Sequence, residues 1–165
     1  VSSHELKTDF SLSTGEKAIL MEDFRWRKSQ IKATSLLANV IYRSAANDKG
    51  VFEAILFENG FITEGAVSNV FYSTDNKIIT PPLSENILPG ITRKVILEVI
   101  QDISLEYEES KIPIESFLEA EEIWITNSTK GIIPIIDLDG KKIGSGKPGE
   151  KYLKVSKAFM AKLLD

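Results

Sequence analysis

The stretch FEAILFENGFITEGAVSNVF, residues 52–71, decides the fold. Two apolar runs, Phe52 to Phe57 and the segment from Phe61, flank Glu58-Asn59-Gly60. Asn-Gly between apolar runs is a strong hairpin signal, because both residues accept the positive φ of a tight turn. Val67 to Tyr72 and Lys77 to Thr80 form a second hairpin around Asp75-Asn76, and Pro81-Pro82 stops its second strand.

Helices lie on either side of these strands. Upstream, Lys17 to Met21 reads as a strand and the polar Val1 to Glu16 as a linker or arm. From Ile31 the pattern turns helical: Ile31, Leu36, Leu37, Val40, Ile41 and Ala45 fall on one stripe, and Gly50 ends it. Downstream, Ile91 to Ile103 is a helix with Ile91, Val95, Ile96, Val99, Ile100 and Ile103 as its buried face. Leu105 to Glu109 is a strand, and Pro113 opens a short helix over Ile114 to Ala120. Glu122 to Thr126 and Ile132 to Leu138 are strands, the second placed at an edge by Pro134. Asp139-Gly140 turns the chain into Lys142-Ile143, and Glu150 to Leu164 is a final amphipathic helix. Strands and helices intermix, so the class is α/β or α+β.

Composition bounds the chemistry. The chain has 165 residues, 42% hydrophobic and 27% charged, which suits one globular domain able to bury its own core. The absence of cysteine excludes disulfides, thiolate metal sites and cysteine nucleophiles, and fits a reducing cytoplasm. The one histidine, His4, sits in a polar segment and reads as solvated, which argues against a histidine metal site or a Ser-His-Asp triad. A net charge of −4 argues against a nucleic-acid partner. No apolar run reaches the roughly 18 residues of a membrane span, and no signal peptide is visible.

Gly144-Ser145-Gly146-Lys147-Pro148-Gly149 precedes a helix and superficially suggests a phosphate loop. The pattern fails: the leading glycine slot holds Lys141, and Pro148 stands where a hydroxyl and an N–H are needed. A flexible loop with turn glycines, able to sit on a pocket rim, is the better reading.

Four other segments carry chemistry: RWRKSQIKATSLL around Lys32, ITEGAVSNVF around Glu64, TPPLSENILPGITR ending at Arg93, and ITNSTKGIIPI around Ser128. Singly they are a solvated lysine, a carboxylate beside a turn, a loop into a helix and a polar turn. Together and in this order they resemble the class IV (fold-type IV) pyridoxal-phosphate enzymes, from about Glu22 to the C-terminus. That group includes D-amino-acid and branched-chain amino-acid transaminases and aminodeoxychorismate lyase.

The resemblance implies the C-terminal, cofactor-binding domain of that family: a mixed sheet in a pseudo-barrel with flanking helices. It implies a smaller N-terminal domain not contained in this sequence. It implies that Lys32 forms a Schiff base with pyridoxal 5′-phosphate and shuttles a proton at the substrate α-carbon. Glu64 then faces the pyridine nitrogen and keeps the ring an electron sink. The free N–H groups of Ile91 and Thr92, at a helix N-terminus, suit the phosphate. Ser128 reaches the same phosphate, flanked by Asn127 and Thr129, and Leu88 packs on the ring. Arg25 and Trp26 serve an ion pair and packing.

The implied reaction passes an amino group between an amino acid and a 2-oxo acid in a homodimer, with D-amino acids slightly favoured. A branched-chain transaminase, the lyase and a non-catalytic binding or assembly module are the alternatives. Gln30, where an acidic residue is common, and Ala66-Val67, in place of a hydroxyl-rich pair, blur the subgroup.

Overall fold

A computed structural model describes residues 12–74 and 77–163. His4, most of the expected arm over Val1 to Glu16, the Asp75-Asn76 turn and the end of the last helix at Leu164 lie outside the described residues. In chain order the elements are β1 (Glu16–Glu22), α1 (Leu37–Asp48), β2 (Glu53–Glu58), β3 (Phe61–Gly65), β4 (Asn69–Ser73), β5 (Ile78–Thr80) and α2 (Ile91–Asp102). They continue with β6 (Tyr107–Glu109), β7 (Ile112–Pro113), α3 (Ile114–Leu118), β8 (Glu122–Asn127), β9 (Gly131–Leu138), β10 (Lys141–Lys142) and α4 (Glu150–Lys162).

The strands form one mixed sheet in the order β6-β5-β4-β8-β9-β1-β2-β3-β7, with β10 paired to β9. β1 runs parallel to β2 and β9, and β5 parallel to β6; the other pairs are antiparallel. The Asn59-Gly60 hairpin is present, with φ of 51° and 81° at the two turn residues.

Connectivity forces the sheet to curl. Five inter-strand steps separate β4 from β3. In a flat sheet that distance is roughly 24 Å, at about 4.8 Å per step. Only residues 66–68 join the two strands, and four Cα steps reach at most roughly 14 Å. The ends actually touch, since the Gly65 N–H donates to the Ser68 carbonyl at 2.7 Å. The result is a half-barrel with apolar side chains inside and helices outside.

One face of alternating strand residues fills the interior, including Ala18, Ile55, Val70, Ile123, Ile125 and Ile135. The opposite face of β4 and β8 gives Phe71 and Trp124 to a second core under α2 and α4. α1 covers β1 and β2 with Tyr42 and Ala46 against Ile19, Ala54 and Leu56. Burying both faces explains why β8 reads as an uninterrupted apolar run rather than an alternating one.

Several expectations are corrected. Residues 31–36 are not helical; α1 begins at Leu37, and the segment before it is held by turn bonds such as Ile31 N–H to the Lys28 carbonyl at 3.0 Å. The apolar stripe of α1 faces outward, with Leu37 75% exposed. Ile91 is not core either: it stands in the first turn of α2, 78% exposed, and Arg93 is buried there instead. β9 is central, not an edge strand. Pro134 is tolerated because β1 pairs with β9 only from Ile135 onward, so its missing N–H faces no ladder. Trp26 is exposed rather than packed. Among the described residues no helix is long and apolar enough to cross a membrane.

Candidate active site

One cavity of about 730 Å³ is lined by residues from four connections. They are the segment between β1 and α1, the β3–β4 turn, the opening of α2 and the β8–β9 turn. The volume lies within the range of small-molecule sites, roughly 300–1,000 Å³. Lys32, Glu64, Leu88, Ile91, Thr92, Asn127, Ser128 and Thr129 all line it, so the fold brings all eight expected residues together. The glycine loop over 144–149 does not; among the described residues it contributes nothing to the cavity wall.

Glu64 is the penultimate residue of β3 and is 4% exposed. Its Oε1 accepts from Arg25 Nη1 at 2.5 Å, and its Oε2 accepts from the Leu88 N–H at 3.0 Å and from Asn69 Nδ2 at 3.1 Å. Arg25 is shared. Its Nε and Nη2 donate to the two oxygens of Asp23 at 2.9 and 2.7 Å, and Nη2 also reaches the Asn86 carbonyl at 2.9 Å. Two carboxylates on one guanidinium leave a surplus negative charge in a desolvated place. Burial accordingly pushes the Glu64 carboxyl up to about 7, against the pull of Arg25. Burial also works to lower Arg25, but its bonds and charges with Asp23 and Glu64 outweigh that and hold it well above its ordinary value.

The β3–β4 turn is fixed from behind. Ser68 Oγ donates to the buried Glu53 at 2.9 Å, and a Cβ on Gly65 would lie 2.0 Å from that hydroxyl oxygen. Only glycine fits between Glu64 and this bond.

α2 opens at Gly90 with no side-chain cap among the described residues and no acidic residue in its first turn. Its first N–H groups therefore stand at the cavity wall with a positive dipole end behind them. α4 is the contrast. It also begins after a glycine, but Glu122 already occupies that N-terminus, accepting from the Lys151 and Tyr152 N–H groups at 2.9 and 2.8 Å.

The β8–β9 turn faces the same space. Asn127 Oδ1 is consumed within it, accepting from the N–H groups of Thr129 and Lys130 and from Thr129 Oγ1 at 2.9–3.1 Å. Asn127 thus shapes the turn that exposes Ser128. Thr126 Oγ1 is buried on the cavity wall without a hydrogen-bond partner among the described residues.

Three participants carry no role in the motif reading: Asp23, outside the quoted segments, and Asn69 and Thr126, inside them. Asp23 precedes the quoted RWRK run by two residues, and Asp-x-Arg is the one signal that points to it. Asn69 is visible only as a polar residue opening an apolar strand. Thr126 looks like an ordinary β-strand residue.

A family model described as amino-transferase class IV matches residues 8–138. The chain is 38% identical over 158 residues to a D-alanine aminotransferase of Bacillus licheniformis, covering 96% of this chain and 56% of that one. It is 34% identical to a D-alanine aminotransferase of Staphylococcus haemolyticus, covering 90% and 52% respectively. Among solved structures, a branched-chain amino acid aminotransferase of Escherichia coli superposes with a TM-score of 0.84 at 28% identity, covering 92% of this chain and 52% of that one. The chain therefore spans about half the length of the curated relatives it matches. On the match of its sequence and the agreement of its fold, the chain belongs to the class IV aminotransferases.

Proposed function

We propose that this chain is the cofactor-holding part of a transaminase that moves an amino group between an amino acid and a 2-oxo acid. Class IV aminotransferases are pyridoxal-phosphate-dependent, and the residues present fit that cofactor. A buried carboxylate with surplus negative charge, and a helix N-terminus and a threonine hydroxyl that find no side-chain partner among the described residues, all stand on one cavity wall. The observation that carries the reading is the convergence of Lys32, Glu64 and the opening of α2 on that cavity.

When bound, the cofactor supplies an electrophilic aldehyde carbon and an electron-accepting ring. The N–H groups of Ile91 and Thr92 would hold its phosphate, assisted by the Thr92 and Ser128 hydroxyls. Glu64 would hold a proton at the ring nitrogen, because the Asp23–Arg25–Glu64 cluster, with both carboxylates ionised, lacks one positive charge. Leu88 would pack on the ring, and its main chain is tied to Glu64 and Asn69. Lys32 is the attachment point for the aldehyde. As a free amine, its Nζ would be the group that carries the proton at the substrate α-carbon.

D-amino acids are the favoured donors, supported by the D-alanine aminotransferase relatives. A branched-chain substrate is the second reading, supported by the fold match and by the apolar Ile31, Leu36 and Val67 on the cavity wall. The full-length protein with added pyridoxal phosphate should transfer the amino group of D-alanine to 2-oxoglutarate faster than that of L-leucine. The reverse order favours the second reading. Pyruvate release from aminodeoxychorismate without amino transfer, or no turnover of either amino acid, contradicts the proposal. The homodimer belongs to it as well, and light scattering of the full-length protein checks that.

A further inference from the structure

Asp23 lies outside the roles given so far, yet it holds more of Arg25 than Glu64 does. It takes the fork of Nε and Nη2, while Glu64 takes Nη1 alone. Asp23 is anchored in turn by Thr63 Oγ1 at 3.0 Å, and its side chain is as buried as those of Arg25 and Glu64, all at 5–6% exposure. We propose that Asp23 is a positioning residue that sets how much negative charge Glu64 presents to the cavity, by holding the greater share of the guanidinium.

The charge count carries the argument. With Asp23 and Glu64 both ionised, the trio sums to −1, so Glu64 faces the cavity as an incompletely neutralised carboxylate. Without the Asp23 charge, Arg25 and Glu64 form a closed neutral pair, and Glu64 has no surplus to offer a protonated heterocycle. Among the described residues the other partners of Glu64 are the neutral Asn69 amide and the Leu88 N–H, and α2 has no acidic residue in its first turn. Geometry assists, since the bidentate Asp23 contact fixes the guanidinium plane and aims Nη1 at Glu64.

This role rests on the cofactor reading above, but its first test does not. Carboxyl carbon-13 NMR follows Glu64 in the full-length, cofactor-free protein. In the wild type Glu64 should titrate near neutrality, about 7. In Asp23→Asn, or in Asp23→Ser should the first not fold, the midpoint should fall below that of the wild type, because the Asp23 charge is one of the causes that raise it. A wild-type Glu64 that titrates in the ordinary carboxylate range, or a midpoint unmoved in a folded neutral variant, overturns the proposal. The second arm adds pyridoxal phosphate and follows the pH dependence of its visible band. The band should shift between wild type and variant while binding persists. A Glu64 midpoint that moves while the cofactor fails to bind even the wild type leaves the Asp23 effect standing and sinks the cofactor reading instead.

Discussion

Asn69 and Gly90 pack so closely that a Cβ on Gly90 would lie 2.0 Å from Asn69 Oδ1. The same amide donates through Nδ2 to Glu64 at 3.1 Å and to the Leu88 carbonyl at 2.8 Å. One side chain thus couples the carboxylate end of the cavity to the helix opening proposed for the phosphate.

Gly90→Ala should therefore damage both ends at once. Overpacking of this kind costs about 1–3 kcal/mol. The expected result is a lower urea midpoint and cofactor affinity weakened at least tenfold, about 1.4 kcal/mol. Titration of the full-length protein with pyridoxal phosphate checks it. Unchanged affinity would show that the helix opening does not bind the cofactor.

The buried Glu64 carboxyl makes stability depend on pH. Its affinity for a proton rises on folding, from 4.5 to about 7. The folded state then binds the extra proton between those values, so its stability falls as pH climbs through that window and levels off above it. The wild-type, cofactor-free protein should lose up to about 3 kcal/mol from this group between pH 4.5 and 8. In Glu64→Gln that part of the slope should vanish. Urea unfolding of both proteins at several pH values measures it, and equal slopes would contradict the assignment.

The same Glu64→Gln variant separates binding from chemistry. Its amide still accepts a bond but no longer supplies negative charge at the ring nitrogen. Cofactor uptake should persist while the proton-transfer step slows at least tenfold, about 1.4 kcal/mol of barrier. Single-turnover absorbance traces with an α-deuterated amino acid read that step directly.

Glu122→Ala should act on the fold alone. It strips the carboxylate from the α4 N-terminus, where two N–H groups depend on it. The expected cost is about 1–2 kcal/mol, as for loss of a helix cap. Cofactor affinity should stay within twofold, about 0.4 kcal/mol, because the 144–149 loop lines no part of the cavity. A thermal melt and a cofactor titration give the two numbers.

What the sequence reveals follows from how local each determinant is. The Asn59-Gly60 and Asp139-Gly140 turns read correctly because positive φ at both residues is a property of the dipeptide itself. The α2 and α4 helices read correctly because a single apolar face sets their period. The α1 stripe misleads: Leu37, Val40 and Ile41 have helical spacing but face solvent, and the buried face rests on Tyr42 and Ala46. Periodicity reveals a face, not what covers it. Pro134 misleads because its tolerance depends on where a distant strand begins pairing. At the site, Lys32 and Glu64 are legible through motif order. Asp23 and Asn69 act through bonds to residues in other segments, which no local pattern encodes.

Every role proposed for the cavity depends on Lys32 being the attachment point for the cofactor aldehyde. Borohydride reduction of the full-length protein loaded with pyridoxal phosphate, followed by peptide mapping, tests it most directly. A phosphopyridoxyl group is expected on the peptide containing Lys32, with loss of both the label and the visible band in Lys32→Ala. Label on another lysine in the wild type, or full turnover by Lys32→Ala, would contradict it.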